Sequence, residues 1–131
     1  MDSIYSIVHI TTEDNYKKIM EDGYLRPYSS VHGTGVFCFI QKKKDHWKKI
    51  PNFRWFGKIA VQLDKKILLE RSDYIIRNSM FDGYEVFGGE VIYNAKNDKD
   101  RKQLDKAIHK LTNLNEIRFS NNISLKKYMM T

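Results

Sequence analysis

The 131-residue chain is 41% hydrophobic and 13% aromatic, carries a formal net charge of +7 and has one cysteine. This excludes a disordered chain, and with Cys38 alone an internal disulfide is impossible. No apolar run approaches the roughly 20 residues of a membrane-spanning helix. The length suits a single domain over residues 1–131, large enough to bury a proper core. The opening "MDSIYS" lacks the basic-then-apolar shape of an export signal, so the expected compartment is the cytoplasm, with no membrane partner. Of the 23 basic residues, 17 are lysines spread along the chain. The charge therefore reads either as attraction to nucleic acid, nucleotide phosphates or an acidic protein, or as a solvated lysine surface.

In chain order, residues 4–10 read as a buried strand ending at His9 and Ile10. Thr12 is placed to cap a helix whose first turn holds Glu13 and Asp14. Tyr16, Ile19 and Met20 share a helical face. Gly23 suits a C-cap, and Pro27 stops continuation. "YSSVHGTG", residues 28–35, reads as turn, and "VFCFI", 36–40, as a short buried strand. "QKKKDHWKKI" allows one or two helical turns. "PNFRWFG" is an aromatic loop in which "FRWFGK" suits either base stacking with phosphate contact or an apolar plug. "KIAVQL" is a strand, and 66–78 is ambiguous. "YEVFGGEVIY", 84–93, is strand material bent at Gly88-Gly89. Residues 98–112 form a helix with Leu104, Ala107, Ile108 and Leu111 on one face. "NEIRF" is a strand, Ser120–Asn122 a turn and "ISLKKY" a last extended segment. The sum is an α+β domain.

No zinc spacing, Walker loop, dinucleotide fingerprint or nucleophile elbow occurs, so no metal is expected. "VHGTG" precedes a strand, whereas a phosphate-cradling loop follows a strand and opens a helix.

Three pieces in order, "VHITTEDNYKKIMEDGYLRP", "GTGVFCF" and "LNEIRFSNNISLKKYMM", resemble the ADP-ribosyltransferase fold. The branch is that of poly(ADP-ribose) polymerase catalytic domains and DarT-type DNA ADP-ribosyltransferases. The resemblance spans the whole chain and implies a split, mixed β-sheet core with a few flanking helices. It implies NAD as substrate. His9 would hydrogen-bond the adenosine ribose, and Ile10 would meet the nicotinamide carboxamide through its backbone. Thr11 would help hold the same end. Phe37, in place of the family's tyrosine, would pack beside the nicotinamide, and Trp47 would stack on it. Lys42, Lys43 and Lys44 are the candidates where DarT-type enzymes carry an arginine, with Lys43 and Lys44 placed among the NAD-binding residues, and the remaining lysines would meet the pyrophosphate. Glu116 would be the catalytic carboxylate, with Glu90 as the alternative. A carboxylate against the ribose opposes the positive charge left as nicotinamide departs.

The implied activity is NAD-dependent mono-ADP-ribosyl transfer to a nucleic acid or protein, as in small toxins and effectors. The competing reading is an inactive version of the fold that docks on nucleic acid or protein through its basic surface. A third, an RNA 2′-phosphotransferase, needs an arginine set that the sequence does not display in matching places.

Overall fold

The computed structural model describes residues 3–30, 33–49, 59–81, 86–111 and 114–130. Strand β1 is Ser6–Thr11 and helix α1 Glu13–Asp22. Then come β2 (Tyr24–Leu25), β3 (Tyr28–Ser30), β4 (Gly33–Gln41) and a 3-10 turn at His46–Lys49. After β5 (Ile59–Leu63) follow α2 (Ile67–Glu70), β6 (Tyr74–Phe81), β7 (Val86–Asn94) and α3 (Arg101–His109). The chain finishes with β8 (Leu114–Phe119), β9 (Ile123–Ser124) and α4 (Leu125–Tyr128). The α+β class is as expected. "FRWFGK" and Trp55 lie outside the described residues.

The main sheet runs β5-β1-β4-β8-β6-β7, with β3 added to β4; β2 and β9 form a separate pair. All the pairings described are antiparallel. The order is far from sequential: the late strand β8 sits between β4 and β6. The pleat alternates side chains between faces. Ile7, Cys38, Ile40, Val61, Ile76, Ile117 and Phe119 join the main core with Leu104, Ala107 and Ile108 of α3 and Leu125 and Tyr128 of α4. Val8, Ile10 and Phe39 point the other way and pack on Trp47.

Local chemistry explains most elements. The Thr12 hydroxyl accepts from the Asn15 amide at 3.2 Å and starts α1. Gly23, at φ 82°, ends it, its N–H donating to the Ile19 carbonyl at 2.8 Å. Met20 is 42% exposed, so the inward face of α1 is narrower than expected and consists of Tyr16 and Ile19. The predicted bend in β7 appears as two register shifts against β6. A Cβ on Gly89 would lie 2.2 Å from the Asn78 carbonyl oxygen, so glycine is required by close approach.

Two local expectations are corrected. Residues 28–30 are not turn but strand, and β4 begins at Gly33 rather than at residue 36, because Tyr28–Ser30 pairs back onto Gly33–Gly35. "LKKY" is a helical turn, not extended chain. Ser124 caps it, accepting from Lys127 N at 3.3 Å, and Leu125 and Tyr128 bury beneath it.

Candidate functional site

The site begins where the main sheet opens. β1 and β4 pair through Ser6–Gln41, Ile7–Ile40 and Val8–Phe39, and beyond Val8 they share no register pair. From there β1 follows β5 as far as Thr11–Ile59, while β4 follows β8 as far as Val36–Phe119. At the fork the His9 Nδ1–H donates to the Phe37 carbonyl at 2.8 Å. A carbonyl only accepts, so Nδ1 carries the proton and a neutral ring leaves Nε2 as an acceptor. Burial lowers the His9 pKa, and the Phe37 carbonyl opposes that only in part.

The sign of the linkage follows. The unfolded chain binds a proton at His9 more readily than the folded one, so this contribution to stability is present above the unfolded pKa and declines as pH falls below about 6.5. We expect acidification from pH 7 to 5 to destabilise the wild type more than His9→Gln. Chemical denaturation of both proteins across that range checks it, and parallel profiles would refute it.

Next to the fork lies an open cleft of about 700 Å³, within the range of small-molecule sites. His9, Thr11 and Thr12, Lys18 of α1, and Arg26 and Tyr28 are among its lining residues. Asp22 holds Arg26 through two contacts of 2.6 and 2.9 Å, and the guanidinium lies 5.3 Å from the centre of the Tyr24 ring. The segment that carries Arg26 is anchored by the end of the chain. Tyr24 and Leu25 pair with Ser124 and Ile123, and the Leu125 amide donates to the Gly23 carbonyl at 3.0 Å. "ISLKKY" thus holds the segment that carries Tyr24, Arg26 and Tyr28.

Tyr28 links this cleft to the candidate carboxylate. Its ring centre is 5.2 Å from that of Phe37. The Arg118 guanidinium lies over the other ring, 4.3 Å from the Phe37 centroid, and pairs with Glu116 Oε1 at 2.7 Å. Burial raises the Tyr28 pKa; Arg118 opposes the rise and Glu116 adds to it. Register explains the grouping. Phe37 faces Arg118 across the β4–β8 ladder, Phe39 faces Glu116, and Arg77 of β6 faces Glu116 from the other side. Facing residues share one side of a sheet.

The structure thus gathers some predicted residues and separates others. His9, Ile10 and Thr11 line the cleft. Phe37 and Glu116 lie together on the adjoining face, joined through Arg118. Trp47 is only 7% exposed and packs against Val8, Ile10 and Phe39, where it covers the same sheet face. Lys43 and Lys44 are exposed on the turn after β4 and are not among the cleft's lining residues. Lys42, beside them, donates to the Leu111 carbonyl at 2.7 Å. Glu90 is exposed on edge strand β7, with β4, β8 and β6 between it and β1. Several residues that line the cleft or join it to Glu116 were not among the expected site residues, among them Thr12, Lys18, Arg26, Tyr28 and Arg118. Arg118 had one available signal, its position two residues after Glu116 on a strand, which places both on one face. Tyr28 had none, since β3 read as turn.

No protein-family model, curated protein or solved structure matches the chain. No helix among the described residues is long and apolar enough to cross a membrane.

Proposed function

We propose that this chain is an NAD-dependent mono-ADP-ribosyltransferase acting on a nucleic acid or protein. The observation that carries the reading is the place of Tyr28, which lines the His9 cleft and also packs on Phe37, which Arg118 joins to Glu116. The groups present fit NAD. Neutral His9 offers an acceptor to a ribose hydroxyl, Lys18 offers charge to a pyrophosphate, and Tyr28 supplies a phenol beside the hydroxyl-free Phe37. NAD supplies the transferable ADP-ribosyl group and the nicotinamide leaving group.

In this reading His9 orients the adenosine half, and its bond to the Phe37 carbonyl holds ring and fork together. Phe37 provides a flat face for nicotinamide. Glu116, 5% exposed, opposes positive charge at the ribose where water is scarce and electrostatics are strong. The acceptor enters from the open side of the cleft.

The ion pair between Arg118 and Glu116 favours a second reading, a protein of this fold that binds a partner without transfer, its carboxylate being held by an internal cation. Thermal unfolding of wild type and His9→Ala, each with and without millimolar NAD, separates the two. Transfer predicts a rise in Tm for the wild type that the variant loses; at about 100 times Kd the stabilisation is ~2.7 kcal/mol. Absence of any wild-type shift would overturn the NAD reading.

A further inference from the structure

Three independent features converge on Arg118. Its guanidinium pairs with Glu116 through Nη2 at 2.7 Å and Nε at 3.2 Å. Its Cζ lies over the Phe37 ring, 4.3 Å from the centroid. Its stem and head run along a track cleared by glycine: a Cβ on Gly35 would meet Arg118 Cγ at 2.6 Å, and one on Gly33 would meet Nη1 at 2.6 Å. The side chain is only 17% exposed. The "GTG" motif is therefore a groove shaped around this arginine.

An aromatic face, a carboxylate and a groove without side chains recognise a flat cation. We propose that the Phe37–Glu116 pocket is a planar-cation site that Arg118 occupies from within, and that a ligand reaches Glu116 only by displacing it. The inference rests on the NAD reading for the identity of the natural ligand, whose oxidised nicotinamide ring is itself a flat cation. The pocket's chemistry stands without that reading. Arg118 acts as a built-in competitor: apparent affinity falls by the fraction of molecules in which it has swung away.

The test uses two probes of nearly the same shape, the 1-methylnicotinamide cation and neutral nicotinamide, on wild type and Arg118→Ala. We expect the cation to raise the Tm of Arg118→Ala and to bind it at least about tenfold more tightly than wild type. Nicotinamide should give no comparable gain. Equal binding of the cation to both proteins, no binding to the variant, or equal effects of the two probes would each overturn the proposal. Should Arg118→Ala not fold, NMR of wild type decides. The Arg118 Nε–H resonance should move toward that of a solvated arginine as the cation saturates the protein, and an unmoved resonance at saturation refutes displacement. The NAD reading fails separately, if cation rescue succeeds while NAD leaves the wild-type Tm unmoved.

Discussion

If the chain transfers ADP-ribose as proposed, replacing Glu116 with Gln should lower that transfer by about 100-fold or more, the scale of losing one aligned electrostatic group in a secluded site. Gln keeps the shape and can still accept from Arg118, so the fold should survive with a modest fall in Tm. The ion pair it replaces is largely buried, at 6% exposure for the Glu116 side chain, and hydrogen bonds to charged groups contribute about 1.5–3 kcal/mol. Single-turnover transfer from labelled NAD, measured beside circular dichroism, separates lost chemistry from lost fold. Glu90→Gln is the control. Its side chain is exposed on the far edge of the sheet, so its rate should stay within about twofold of wild type, as surface substitutions away from a site usually do. Full activity in Glu116→Gln, or its loss in Glu90→Gln, would reverse the assignment of the carboxylate.

Gly35→Ala should be strongly destabilising for a change of one methyl group. Gly35 sits at φ 155°, and an added Cβ would approach not only Arg118 Cγ at 2.6 Å but the Phe119 carbonyl oxygen at 2.9 Å. The arginine can move; the backbone of a central strand cannot. Overpacking of this kind costs about 1–3 kcal/mol, and here it also pushes Arg118 away from Phe37 and Glu116. Denaturant unfolding should show a lowered midpoint. A Gly35→Ala protein as stable as wild type would show that β4 and β8 part easily at this point. It would remove the basis for a groove fitted to Arg118.

Strong local signals were legible in advance. Thr12 and Gly23 mark the ends of α1, since capping depends on the residue and its immediate neighbours. The apolar spacing of Leu104, Ala107 and Ile108 finds α3, and all three are buried against the core. The glycine pair in "YEVFGGEVIY" announces the irregularity in β7. "LKKY" failed because two lysines in four residues hide a single helical turn, whose stability comes from burying Leu125 and Tyr128. Tyr28–Ser30 failed because its strand character comes from its partner, Gly33–Gly35. His9 and Glu116 could be named as candidates only through the resemblance of the ordered motifs that hold them. Their relation in space could not be read in advance, because it depends on β8 inserting beside β4 and on β1 leaving β4 after Val8.

The sequence by itself determined the class of fold, the caps of α1, the buried face of α3 and the residue types available for chemistry, because each follows from spacing within a few residues. Only the tertiary structure decided that the sheet forks at His9, that Tyr28 joins the cleft to Phe37, and that Arg118 lies between Phe37 and Glu116. Those relations connect residues up to about eighty positions apart in the chain. Long-range pairing is set by how all the strands share one core, which no local window contains.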